Sequence, residues 1–263
     1  MGDARDVLSQ GGRAGASSQQ RYDALVRAWR RRNRALFASL TLICGLALVA
    51  SFIAAQRWPA SGWLFGLLGG AAMTFWVVAR LSPPGWIENW QSGAWGEIAT
   101  AKTLRQVARE GWVVLHDLPA GRGNVDHIVV GPGGVFLLDS KRLGGTVEFS
   151  PDGLTVRRPD DPDLSYRHPG GGHLLSLARE THERVLSSAR IRIWVTPVMV
   201  LWNEFPQRVV RDRCVYVHGD ALVDWLRAQP QTIAPNRVEQ IATAVRAAWL
   251  DASKDQATSW ERT

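Results

Sequence analysis

Lysine is almost missing from this chain: Lys102, Lys141 and Lys254 stand against 28 arginines in 263 residues. Cysteine is scarcer still, with only Cys44 and Cys214, each inside an apolar run. Such a pair makes no disulfide framework and reads as two small packing residues, which fits a reducing cytoplasm. Zinc-type Cys/His spacing and internal repeats are both missing, and Gly170-Gly171-Gly172 lacks the preceding strand and following Lys-Ser/Thr of a phosphate loop. These absences exclude structural zinc modules, repeat solenoids and P-loop NTPases.

What the chain does have is apolar sequence, 46% of its residues, unevenly spread. Residues 35–55, ALFASLTLICGLALVASFIAA, are an uncharged run of bilayer-crossing length, and a second run over 62–81 follows after a short turn. Together they predict a transmembrane helical hairpin over 35–81. A cleaved signal peptide, with Arg31-Arg32 as a twin-arginine signal, is the alternative for the first run, but it leaves the second unexplained. The pI near 10.2 looks like a nucleic-acid footprint until the charge is mapped. Residues 1–90 hold ten arginines against four acids, a net +6, whereas 91–263 are nearly balanced at +1. Arg27, Arg30, Arg31, Arg32 and Arg34 crowd the N-terminal side of the first span and only Arg57 lies between the spans. That asymmetry predicts both termini in the cytoplasm and a multi-pass protein of the cell membrane. Residues 1–34 read as a disordered and basic segment, in which 22–34 form either a short helix on anionic lipid or a solvated flank. Trp58, Trp63, Trp76 and Trp86 read as an interfacial belt.

After a linker over 82–91 the pattern alternates. Helical spacing predicts a helix over 94–109 with Ile98, Ala101, Leu104 and Ala108 on its inner face, then a strand over 112–115. Residues 128–130 and 135–138 predict a hairpin around Gly131-Pro132-Gly133-Gly134, and residues 146–157 a second hairpin. Helices over 173–189, 220–227 and 236–250 and strands over 191–200 and 214–217 complete a layered α/β domain with a mixed sheet. Residues 251–263 read as a polar tail.

Charged residues flank the first hairpin. In NVDHIVVGPGGVFLLDSK, residues 124–141, the outgoing strand starts at Asp126 and the returning one ends at Asp139-Ser140-Lys141. An antiparallel pair brings those ends together, and side-chain alternation points Asp139 and Lys141 to one face with Ser140 on the other. Clustered carboxylates of this kind hold Mg²⁺ (or Mn²⁺) for phosphodiester hydrolysis, with the lysine orienting water or neutralising charge. A structural ion pair between Asp126 and Lys141 is the plainer alternative. Arginine's dominance elsewhere weighs against it. His116 and His127 read as hydrogen-bonded core or rim groups, since Mg²⁺ prefers oxygen. His168, His173 and His182 lie around a Gly/Pro loop and a helix, and Asp160-Asp161-Pro162-Asp163 reads as a solvated loop.

Gly96-Glu97, His116-Asp117-Leu118, the series from Asn124 to Gly131, Gly133-Gly134-Val135-Phe136 and Asp139-Ser140-Lys141 followed by Gly144-Gly145 together resemble the nuclease-related domain family, NERD. That family is assigned to the restriction-endonuclease-like PD-(D/E)xK superfamily. The resemblance implies a restriction-endonuclease-like layered domain with a mixed central sheet over about 92–250. Position by position it implies metal-binding acids Asp126 and Asp139, the catalytic lysine Lys141 and the helical acid Glu97, which on its own reads equally as a solvated helix residue. Two positions depart from the family's pattern: Arg142 stands where an Asn usually follows the lysine, and His173 lies near where a Gln is common. Arg122, Arg142, Arg157 and Arg158 are candidates for holding nucleic acid, DNA or RNA. Two functional classes stay open, a membrane-anchored Mg²⁺-dependent nuclease and a non-catalytic module that docks nucleic acid or a protein at the membrane.

Overall fold

In the computed structural model, residues 16–120, 123–150, 153–158, 161 and 163–260 are described. Two compact units divide the chain, Gln19–Gln91 and the part from Ser92 onward. The residues expected to be disordered begin outside the described range, and helix α1 (Ala16–Arg32) ends in Arg30-Arg31-Arg32. Helices α2 (Arg34–Arg57) and α3 (Gly62–Leu81) form the expected pair. By length and composition both are able to cross a membrane. Their apolar side chains face outward almost throughout, and only Phe37, Cys44 and Gly69 are buried. A Trp76 Nε1–H donates to Thr41 Oγ1 at 2.9 Å and ties one helix to the other.

The second unit is a three-layer domain. Helix α4 (Gly85–Ala108) precedes strands β1 (Val113–Ala120), β2 (Gly123–Gly131) and β3 (Gly134–Lys141). A small antiparallel sheet follows, β4 (Thr146–Ser150), β5 (Gly153–Arg157) and β6 (Ser165–His168), then helix α5 (Gly172–Ala189). Strands β7 (Val195–Leu201), β8 (Val209–Arg211) and β9 (Val215–His218) and helices α6 (Leu222–Arg227) and α7 (Val238–Trp260) complete it. The main sheet runs β1-β2-β3-β7-β9-β8, with β3–β7 and β7–β9 parallel and the other pairs antiparallel. It is the mixed sheet anticipated.

Period-2 alternation gives the sheet two apolar faces. On one, Ile128, Val130, Val135 and Leu137 pack with Leu174 and Val185 of α5 and Ile241, Val245 and Trp249 of α7. On the other, Val129, Phe136 and Leu138 pack with Leu104 and Val107 of α4 and Leu222 and Trp225 of α6. The β2–β3 turn is tight, Gly131 pairing with Gly134. A Cβ on Gly131 would lie 2.0 Å from the Trp112 ring, so only glycine lets that indole seal the end of the sheet.

Several expectations need correction. The helix expected over 94–109 begins earlier, at Gly85, and the helix expected to end at 250 runs on to Trp260. The inner face of α4 carries Ala94, Glu97, Thr100, Leu104 and Val107, while Ile98 is 51% exposed. Apolar periodicity chose the wrong stripe because polar contacts from β3 and the residue after β7 draw Thr100 inward. β6 and β8, both short and partly exposed, fall in stretches that alternation left as loop.

Candidate active site

β3 brings the charges to one corner of the domain. Asp139 and Lys141 lie on the face shared with Leu137, and the Lys141 ammonium donates to Asp139 Oδ1 at 2.8 Å. Asp126, at the start of the neighbouring strand on the same face as Ile128, accepts from the Ser140 amide through Oδ2 at 2.8 Å. The hairpin ends therefore meet as alternation and the short turn require. Asp117, on β1 between the His116–His127 and Leu118–Val125 pairs, takes a left-handed backbone, φ 52°. A non-glycine in that region is strained. Its carboxylate accepts from Asn124 Nδ2 at 2.6 Å.

Glu97 comes from the other side of the sheet. It is 8% exposed, so it is no ordinary solvated helix acid. α4 is locked to β3 at this point: Ser140 Oγ donates to Thr100 Oγ1 at 2.7 Å, Trp202 Nε1 donates to the same oxygen at 2.8 Å, and Thr100 Oγ1 donates to the Gly96 carbonyl at 3.0 Å. Trp202 also meets Trp95 edge to face at 5.8 Å, and the Arg142 guanidinium lies 4.3 Å over the Trp95 ring. The stretch after Lys141 is held by Asn203, which accepts from the Leu143 amide at 2.6 Å and donates to the Gly145 carbonyl at 3.1 Å. Thr100, Trp202 and Asn203 escaped the sequence reading. For Thr100 alone a signal existed, its place three residues after Glu97 on one helix face.

The electrostatics are those of a crowded acid cluster. Burial first, then the charges of Asp139 and Glu97, hold Asp126 well above the usual carboxylate range, against Lys141 and the Ser140 amide. Burial pushes the Lys141 ammonium down, but Asp139 and Asp126 outweigh it, so the lysine sits above its ordinary value and stays charged. Three carboxylates thus surround one ammonium, an excess of negative charge that a divalent cation would neutralise. Asp139 Oδ2 is buried and has no hydrogen-bond partner. A buried carboxylate oxygen without a partner is costly, so the protein bears an unmet polar demand at this point. Among the described residues no three His, Cys, Asp or Glu side chains form a group able to hold a metal. The sheet gives the reason, with Asp126 and Asp139 on one face and Glu97 arriving from the other. The donor set therefore suits an ion that keeps much of its water and takes one or two carboxylates, which is the habit of Mg²⁺.

A cleft of ≈190 Å³ opens on this corner, lined by Asn124, Asp126, Asp139 and, from α5, His173, Leu174 and Leu177. His173 Nε2 stands 4.0 Å from Asp139 Oδ1. His168, with a ring nitrogen accepting from the Gly170 amide at 3.1 Å, is lowered by burial and then by the nearby Lys141 charge. Both histidines therefore border the site, whereas His182 instead contacts the Ile193 carbonyl. His116 and His127 join ring to ring, Nδ1 to Nδ1 at 2.8 Å, so one donates while the other accepts. Burial pushes His127 down to about 3, which leaves it neutral. Of the arginines, Arg142 is exposed beside the site, and Arg157 is on the outward face of β5, paired with Glu148 at 2.9 Å. Arg158 is exposed at the end of that strand, and Arg122 lies outside the described residues, as do Asp160 and Pro162 of the acidic loop.

Residues 92–202 match the family of nuclease-related domains. This part of the chain is a NERD domain. The match starts on α4 just before Glu97 and ends at Trp202, so it takes in Glu97, Asp126, Asp139 and Lys141, while Asn203 lies one residue beyond it. β8, β9, α6 and α7 lie beyond its end, although β9 pairs with β7 in the same sheet. Comparison with curated proteins and with solved structures gave no match.

Proposed function

We propose that the chain is a membrane-anchored nuclease that hydrolyses phosphodiester bonds of nucleic acid with Mg²⁺ or Mn²⁺. One observation carries this reading: in a nuclease-related domain, Asp139 keeps one oxygen on Lys141 and leaves the other buried without a hydrogen-bond partner, and Asp139 and Asp126 line one cleft. Asp126 and Asp139 would hold the ion, and Glu97 would act from α4 through water. When bound, the ion supplies a Lewis acid for the phosphoryl oxygen and an activated water. Lys141, held charged, neutralises the negative charge that grows on the phosphate and fixes the Asp139 carboxylate. His173 and His168, at the rim, and Arg142, exposed beside the corner, are placed to meet the nucleic-acid backbone. The outward apolar surfaces of α2 and α3 support anchoring in a bilayer, and the arginine asymmetry around α2 supports a cytoplasmic domain.

The second reading, a docking module without catalysis, is favoured by the lack of any three-ligand metal group among the described residues. Incubating the full chain in detergent with labelled DNA and RNA, with Mg²⁺, Mn²⁺ or a chelator, separates the two. Metal-dependent cleavage that is lost in Asp139→Asn supports the nuclease. Binding of nucleic acid without cleavage under every metal supports the module.

A further inference from the structure

The opposite end of β3 carries a second concavity. A groove of ≈650 Å³ lies where the β2–β3 turn, the segment entering β7 and the stretch before α7 come together, and Phe136, Ile193, Trp194, Ile241, Arg192 and Arg237 contribute to its walls. Its volume falls in the range of roughly 300–1,000 Å³ usual for small-molecule sites. No acidic residue lines it, and neither Arg192 nor Arg237 pairs with a carboxylate among the described residues. Two guanidiniums without counter-ions in one groove select an anion, phosphate above all.

The segment entering β7 adds a second requirement. Burial alternates along it, Ile193 and Val195 being buried while Arg192 and Trp194 are exposed. Trp194 is 84% exposed, the most exposed of the large apolar side chains described. An indole left open beside a guanidinium is a stacking surface for a flat ring tethered to a phosphate. Tryptophan with arginine also marks bilayer surfaces, but here the pair borders a hollow lined by Phe136, Ile193 and Ile241.

We propose that this groove binds a nucleoside monophosphate, with Arg192 and Arg237 on the phosphate and the base on Trp194. The assignment does not depend on the acid cluster at the other end of the strand. It is tested by calorimetric titration of the full chain in detergent with AMP, adenosine and inorganic phosphate. AMP should bind, with adenosine and phosphate each weaker by about tenfold or more. Arg192→Ala and Trp194→Ala should each weaken AMP by about tenfold, Trp194→Phe should restore most of the loss, and Asp139→Asn should change nothing. Because Arg192 and Trp194 are exposed, their variants should keep the wild-type melting temperature. No heat with AMP up to about 1 mM overturns the proposal. So does phosphate binding as tightly as AMP, or AMP binding untouched by both substitutions. A Trp194→Ala effect seen only as altered association with phosphatidylserine bilayers, with no AMP binding, reassigns the patch to the membrane surface and overturns it as well.

Discussion

In α2 and α3 most of the leucines, isoleucines and phenylalanines face outward, Phe37 excepted, whereas in α4 the inward face carries Glu97 and Thr100 among its apolar residues. Both helical regions depart from the pattern of a water-soluble globule, and in opposite senses. Apolar surface that no protein covers calls for lipid. Buried acid that neighbouring acids repel lowers stability, and a fold keeps it where chemistry requires it. The difference teaches that burial alone locates neither core nor site. What matters is whether each group has the partner its chemistry demands: Thr100 has two donors, Asp126 has the Ser140 amide, and Asp139 Oδ2 has none.

The sharpest way to break this contrast is to alter the charged corner and read activity against stability. Lys141→Arg retains the charge but replaces a compact ammonium, 2.8 Å from Asp139, with a bulkier planar fork. Cleavage should fall by about 10²–10⁴-fold with the melting temperature unchanged. Normal cleavage by this variant would reduce Lys141 to a structural cation.

Next in size is a comparison of leucines. Leu104→Ala on α4 removes a fully buried side chain and should cost about 2–5 kcal/mol, seen as a lower denaturation midpoint. Leu46→Ala on α2, where the side chain is 61% exposed, should leave the midpoint in detergent almost unmoved. Equal losses would mean that α2 packs into a protein core. Thr100→Val tests the polar inner face itself, since it strands the Ser140 hydroxyl and the Trp202 indole N–H. A loss of about 1–3 kcal/mol is expected in chemical denaturation.

The hairpin acids were legible because two short-range rules suffice for them: a tight glycine turn fixes the register, and alternation fixes the face. The same local logic gave the β2–β3 and β4–β5 hairpins and the two apolar helices. It failed where tertiary contacts decide. Ile98 is apolar yet points out, because Ser140 and Trp202 claim Thr100 and rotate the helix. His173 reaches Asp139 only because the β3 to β7 crossover returns α5 over the corner. From just after β7, Asn203 holds a loop 60 residues back and Trp202 reaches Thr100, 102 residues back, and no spacing in the chain announces either. β6 is polar and three of its four residues are exposed, so alternation had nothing to register.

A pH dependence sharpens the comparison in another way. His127 titrates at about 3 in the folded chain and near 6.5 when unfolded, so the unfolded state takes up the proton first. Stability from this group is present above about pH 6.5 and is lost as pH falls toward 3. In His127→Asn the fall in melting temperature between those values should be shallower than in the wild type. An unchanged slope would show that the ring is not buried neutral.

The central claim, that the crowded corner is kept for a metal, is tested most directly by melting temperature with and without Mg²⁺ in the wild type and in Asp139→Asn. Removing one of three mutually repelling acids should raise the metal-free melting temperature, and Mg²⁺ should then have no effect on the variant. The wild type should start lower and rise with Mg²⁺, by about 2.7 kcal/mol at a hundredfold excess over the dissociation constant. A wild type indifferent to Mg²⁺ and Mn²⁺, together with an Asp139→Asn variant that melts earlier, would contradict the account and leave Asp139 and Lys141 as a structural ion pair.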